Sequence, residues 1–274
     1  MDIPSTLAGR LHRLHEAQER TETENLLAAG IGPRMGVSTR DWPNGPWSVR
    51  SAEAPRHAPG NQVMGLTADH LDALPELGAW FDEVGAHLHL RWPAAEVRSV
   101  SERFAAEGLI AHEVEAWMAA PLDGLDVRAA VHDIRLVGSP SHLQDWITAF
   151  WGGWAIVDPA MREVAAGAMG PWPGPARWRR YVAYVAGEPA GEALLVLFDD
   201  AAYLAEASTV PRFRRQGIQR ALIARRLADA RREGASVVFG GVEYGDASWS
   251  NMRAMGLREA SVTVTFRRPP RDSG

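Results

Sequence analysis

Apolar positions in the C-terminal half of the chain change period several times, and each change marks an element. Residues 181–185 and 192–198 carry apolar side chains at alternating or successive positions around Gly187-Glu188-Pro189, which predicts a hairpin. Residues 203–209 form a third strand-like run, stopped by Pro211. Beyond it Ile218, Leu222, Ile223 and Leu227 recur at helical spacing with Arg and Asp opposite, which predicts a helix from near Gly217 to Gly234. A strand at 237–242, a helix over 248–257 and a last strand at 261–266 complete the series.

The first half repeats part of this order. Residues 68–84 read as a helix ending at Gly85, residues 87–92 as a strand, and a second helix closes at Gly108 before a strand at 112–118. Gly108 follows Gly85 by 23 residues, and Gly256 follows Gly234 by 22, so order and spacing together suggest an internal duplication. The turn-rich stretch 121–126 predicts a boundary between domains 1–124 and 125–274. The same offset places residues 61–66 where the second half has its strand-to-helix turn, and no arginine lies in that run.

That turn is the most informative junction. A helix starting near Gly217 leaves its first N–H groups without intrahelical partners and has its positive dipole end there, so an anion is stabilised at that point. Gly217 lets a ligand approach the backbone, and Arg214 and Arg215 add charge. On these residues alone, a pyrophosphate site and an ordinary capped helix both remain open.

The strand, the Arg-x-x-Gly-x-x run from Arg214 to Gln219, the long helix and the helix closing at Gly256 resemble the acyl-CoA signature of the GNAT superfamily of N-acetyltransferases, over about residues 127–268. The resemblance implies an α/β (α+β) fold of two tandem GNAT-like domains, each a mixed, mostly antiparallel sheet flanked by helices, the N-terminal copy being degenerate. It implies acetyl-CoA as co-substrate, held by Ala207, Ser208, Thr209, Arg214, Arg215, Gln216, Gly217, Ile218, Gln219 and Arg220, with Asn251 nearby. A backbone N–H near Thr209 would receive the carbonyl oxygen. The chain departs from the pattern at Gln219, where most relatives have Gly or Ala, and at Leu257, in place of an aromatic. Met252 stands where many relatives carry a proton-donating tyrosine, and a thioether donates no proton.

Direct transfer to an amine needs a bound thioester, a neutral amine, an oxygen donor and a proton route. Glu206, on the strand three residues before Thr209, and Glu243, at the end of the neighbouring strand, are candidate bases, with a solvated or salt-bridged face as the alternative for each, and Tyr244 is a candidate proton donor. Trp146, Phe150 and Trp154 share a helical face and, with Trp151 and Trp172, are candidates for an aromatic wall around a small-molecule amine; a core stripe is the competing reading. Gly152 and Gly153 read as a hinge beside it.

Composition removes other classes. The 29 basic side chains other than histidine are all arginine, so a phosphate loop ending in Gly-Lys-Ser/Thr is excluded. Net charge −5 gives no general attraction to DNA or to a membrane, and residues 1–24 form a charged helical pattern without a signal-peptide core, which predicts a cytoplasmic protein. With no cysteine there is neither disulfide nor thiolate metal site. His87 and His89 share a strand face and read as sheet histidines, with no metal expected, and His12 and His15 read as surface residues. Another acyl donor, including aminoacyl-tRNA, and a non-catalytic acyl-CoA-binding scaffold remain open, as does a homodimer.

Overall fold

The structure, a computed structural model, describes residues 5–28, 30, 32, 35–127, 132–159, 161, 162, 166 and 176–271. Chain contacts divide it into a first unit, residues 9–115 with 261–274, and a second unit, residues 1–8 with 116–260. The units meet at 115/116, within one strand, and the last residues belong to the first unit. Among the described residues no helix is long and apolar enough to cross a membrane.

In the first unit α1 (Ser5–Ala28) precedes the antiparallel pair β1 (Val37–Asp41) and β2 (Trp47–Ser51), then β3 (Gln62–Met64), α2 (Leu74–Asp82), β4 (Leu88–Pro93), α3 (Val97–Ala106) and the start of β5 (Ile110–Pro121). Strand β3 runs antiparallel to β2 and parallel to β4. The end of β12 (Arg258–Arg268) pairs with β4, Phe266 opposite Leu90. Leu77, Phe81, Leu88, Leu90, Trp92, Phe104 and Phe266 form the core against α2 and α3. The helix expected over 68–84 is split. Thr67 and His70 form a capping box that starts a short 3-10 turn, and α2 begins afresh at Leu74 with Pro75 in its first turn.

The opposite face of this sheet is polar, and α1 covers it with polar residues. Arg91 donates to Glu115 (2.6 Å) and Gln62 (2.9 Å), and Gln62 donates to Glu19 (3.1 Å). His15 is buried, not on the surface as expected, because the charged side of α1 turns inward to meet these groups. His87 and His89 do stack on one strand face, their centroids 6.1 Å apart.

The second unit repeats the order of the first: hairpin, strand, helix, strand, helix, strand. The hairpin β7 (Trp178–Val185) and β8 (Glu188–Leu197) turns at Ala186 and Gly187, whose φ values are 51° and 83°. The turn is therefore two residues long, and Glu188 and Pro189 lie in the strand rather than in the turn expected for them. Strand β6 (Asp133–Leu136) pairs with β7, and α4 (Pro140–Gly153) packs on β7 and β8. The run 203–209 is broken in two, β9 (Ala201–Tyr203) and β10 (Ala207–Thr209). Then follow α5 (Ile218–Arg232), β11 (Val237–Glu243), α6 (Ala247–Ala254) and β12. Tyr181, Leu195, Leu222, Leu227, Val238 and Leu257 fill the core between sheet, α5 and α6.

Candidate active site

The break between β9 and β10 makes an opening. β11 pairs in parallel with β9 from Val237 to Phe239, and the last bond across that edge is Leu204 N–H to Phe239 O, 2.8 Å. β10 instead pairs with β8: Leu194 N–H donates to Glu206 O (2.9 Å) and Val210 N–H to Ala190 O (3.0 Å). Alternation along an antiparallel strand then aims the N–H groups of Ala207 and Thr209 away from β8, at the edge where β11 has diverged. An extended amide chain can pair there. Buried Arg226 on α5 fixes the break, donating to Leu222 O (3.2 Å), Leu194 O (3.1 Å) and Ala205 O (2.9 Å). Burial holds its guanidinium down at about 10.

The strand leads into a short 3-10 turn, Pro211–Phe213, and then to Gly217, the N-cap of α5, at φ 80° and exposed. The cap makes no side-chain hydrogen bond. Ala221 N–H to Gly217 O opens the helix, so the N–H groups before it point out of its end. Arg215, exposed at φ 64°, stands in the turn. Arg214 donates to Thr209 O (3.1 Å) and Gly153 O (3.4 Å), bracing the turn. Gln219 and Arg220 are likewise tied to α6. Asn251 donates to Gln219, Gln219 donates to Ser248 (2.5 Å), and Arg220 donates to Asn251 (2.9 Å). These polar contacts give Gln219 and Asn251 a structural use. Ile218 is core, and His132 lies 2.8 Å from Gln216 O.

On the sheet face under α4, Ser208 of β10 is the register partner of Glu192 of β8. Glu192 is fully buried, and neither of its oxygens, nor the Ser208 hydroxyl, closes a hydrogen bond of good geometry among the described residues. Burial, reinforced by the like charge of Glu206, pushes the Glu192 carboxyl up to about 8, against the opposing pull of Ser208, Arg226 and Trp154. Glu206 itself is exposed at the rim. The glycine pair is no hinge: both residues end α4, and a Cβ on Gly153 would lie 1.9 Å from Ser208 Oγ. Close packing of helix on strand requires glycine there.

Trp146 is buried, donates to Ala193 O (3.2 Å) and stacks on Phe150 at 5.6 Å, so it anchors α4 in the core instead of lining a wall. Phe150 and Trp151 are half-buried, and Trp154 at the helix end is 53% exposed. Trp172 lies outside the described residues. Glu243 is exposed at the end of β11, and Tyr244, also exposed, rests against Trp249 at 5.3 Å. Met252 is core, 3.0 Å from where a Cβ on Gly240 would sit. Sequence reasoning missed Glu192 and Arg226. The available signal was a charge inside an otherwise apolar strand and helix face.

In the first unit the corresponding turn follows β3. Gly65, at φ 71°, donates its N–H to the Glu16 carboxylate of α1 (3.1 Å), which occupies the position an anion would take.

The second unit thus joins a divergent strand pair to an open helix N-terminus, on a mixed sheet with helices on both faces. Residues 143–256 match the family described as Acetyltransferase (GNAT) family. Among curated proteins none matches the sequence. Among solved structures, a GCN5-related N-acetyltransferase from Kribbella flavida is 16% identical with a TM-score of 0.62, covering 92% of this chain and 95% of its own. A second from Sphaerobacter thermophilus is 14% identical at 0.61, covering 85% and 82%. A tandem GNAT protein from the clavulanic acid biosynthesis pathway is 12% identical at 0.55, covering 87% and 85%. At these identities the likeness is one of fold, and it extends through both units.

Proposed function

We propose that the second unit is an N-acyltransferase that moves an acyl group, acetyl in the simplest case, from acyl-CoA to the primary amine of a small molecule by direct attack in a ternary complex. The observation that carries this reading is the free edge of β10 running straight into the exposed turn at Gly217. The N–H groups of Ala207 and Thr209 would pair with the pantetheine amides and receive the thioester oxygen. The N–H groups around Gly217, with Arg215, would hold the pyrophosphate. Glu206 at the rim would take the amine's proton. Met252 in the core supplies none to the departing thiolate, so solvent or the exposed Tyr244 would do so. The first unit, its turn closed by Glu16, would bind no donor, and a cytoplasmic setting fits this cofactor.

The test is thermal unfolding with and without acetyl-CoA. At about 100 times its dissociation constant the donor adds about 2.7 kcal/mol, and Gly217→Trp, which fills the turn, removes the shift while costing the unliganded fold about 1–2 kcal/mol for a side chain at positive φ. No shift in the parent refutes the donor site. The buried Met252 also suits a non-catalytic acyl-CoA-binding protein; donor binding without turnover on any amine would select that reading.

A further inference from the structure

Glu192 is the one feature of the site that the donor chemistry leaves unexplained. A carboxyl fully buried beside Ser208 Oγ is costly to retain unless its protonation is used. Its surroundings are few. Ser208 of β10 lies opposite Glu192, and Glu206, whose carbonyl accepts from Leu194 N–H, precedes Ser208 by two residues and so shares its face of the sheet; α5 brings Arg226. From α4 come Gly153, packed on Ser208, and Trp154. Strand β7 faces it with Val182, while Arg180, farther along the strand, lies between Trp146 and Trp178.

We propose that Glu192 and Glu206 form a coupled carboxyl pair in the acceptor site, in which exposed Glu206 takes the proton of the amine and buried Glu192 sets how strongly Glu206 holds it. The proposal rests on the acyl-transfer reading. The amine lone pair forms the N–C bond at the thioester carbonyl, the C–S bond breaks with its electrons going to sulfur, and the proton leaving nitrogen passes to Glu206. The CoA thiolate is protonated by solvent. Glu192 touches none of the reacting atoms; it is a positioning residue that acts through charge. While Glu192 is neutral, Glu206 stays ionised and ready. When Glu192 also ionises, near pH 8, two like charges face each other and Glu206 becomes a stronger base.

The experiment is the pH profile of kcat for parent, Glu192→Gln and Glu192→Asp, with acetyl-CoA affinity measured alongside. The parent shows an inflection near 8, Glu192→Gln loses it with donor affinity unchanged, and Glu192→Asp retains one. An inflection unchanged in Glu192→Gln overturns the pairing. Independently of turnover, 13C NMR of labelled glutamate carboxyls follows Glu192 in the parent and in Glu206→Gln, where its midpoint falls by about one pH unit. An unmoved midpoint also overturns the pairing. A parent inactive on every amine refutes the acyl-transfer reading instead, and the carboxyl titration then decides the pair by itself.

Discussion

Glu192→Gln nearly preserves the shape of a buried side chain while removing its ionisation, so it isolates what that carboxyl does to the fold as pH changes. The group titrates at 4.5 in its ordinary state and at about 8 when folded. Between those values the folded chain keeps a proton that the unfolded chain has released, so stability falls as pH rises. The contribution is fully present below 4.5 and gone above 8. At about 1.36 kcal/mol per pH unit the loss across the window is about 5 kcal/mol. Buried histidines of the first unit act on the acid side: His12, His15 and His89 are held down by burial at about 4, 3 and 4, so they weaken the fold as pH falls below 6.5. Both proteins share them, and they cancel in the difference. Urea unfolding at about pH 5, 7 and 9 should therefore show the variant gaining on the parent as pH rises. Whatever the new amide costs or gains in hydrogen bonds appears as a constant offset. A difference that is flat with pH would refute the reasoning, because it would mean that the carboxyl ionises in the folded protein as it does in water.

Gly153→Ala places a methyl 1.9 Å from Ser208 Oγ and 2.5 Å from its Cβ, and should destabilise by about 1–3 kcal/mol in urea unfolding. Adding Ser208→Gly should recover part of that loss, and strict additivity in the double-mutant cycle would show that the two residues are not in contact. Arg226→Met strips the donors from Leu194 O and Ala205 O and should cost about 3 kcal/mol. It should weaken acetyl-CoA binding as well, because the break in the strand loses its brace; calorimetry showing unchanged affinity would remove Arg226 from the shaping of the cleft.

Elements whose pattern reflects one buried face were legible in the sequence. α5 and β11 fall where periodicity puts them, since their apolar residues meet a single core. The break in 203–209 was not legible: Tyr203 to Thr209 look alike whether they pair with β8 or with β11, and alternation records a face but never a partner. The two-residue turn at Ala186 and Gly187 was obscured by Pro189, which normally ends a strand and here sits where the β7–β8 register shifts. Glu192 inside an alternating run reads as solvated, and only the packing of α4 over it makes it a buried acid. His15 failed for the same reason: helix periodicity cannot show that the sheet beneath α1 presents Arg91 and Glu115.

The two units reach opposite electrostatic ends from one order of elements. Each has a hairpin, a strand running parallel to the strand that follows the next helix, and a turn carrying a glycine at positive φ before its helix. After β3 that glycine's N–H is taken by Glu16, and the Thr67–His70 box closes a short 3-10 turn whose few aligned peptides give little dipole. After β10 the glycine is exposed, uncapped by any side chain, and heads a helix of 15 residues. A phosphate entering the first turn would have to displace a carboxylate, whereas on the proposed reading one entering the second would meet the exposed helix N-terminus and Arg215. The difference lies in what α1 and the cap supply, not in the path of the backbone. Substituting α1 residues therefore bears on the first unit's polar face, while the proposed anion site would rest on residues 209–218.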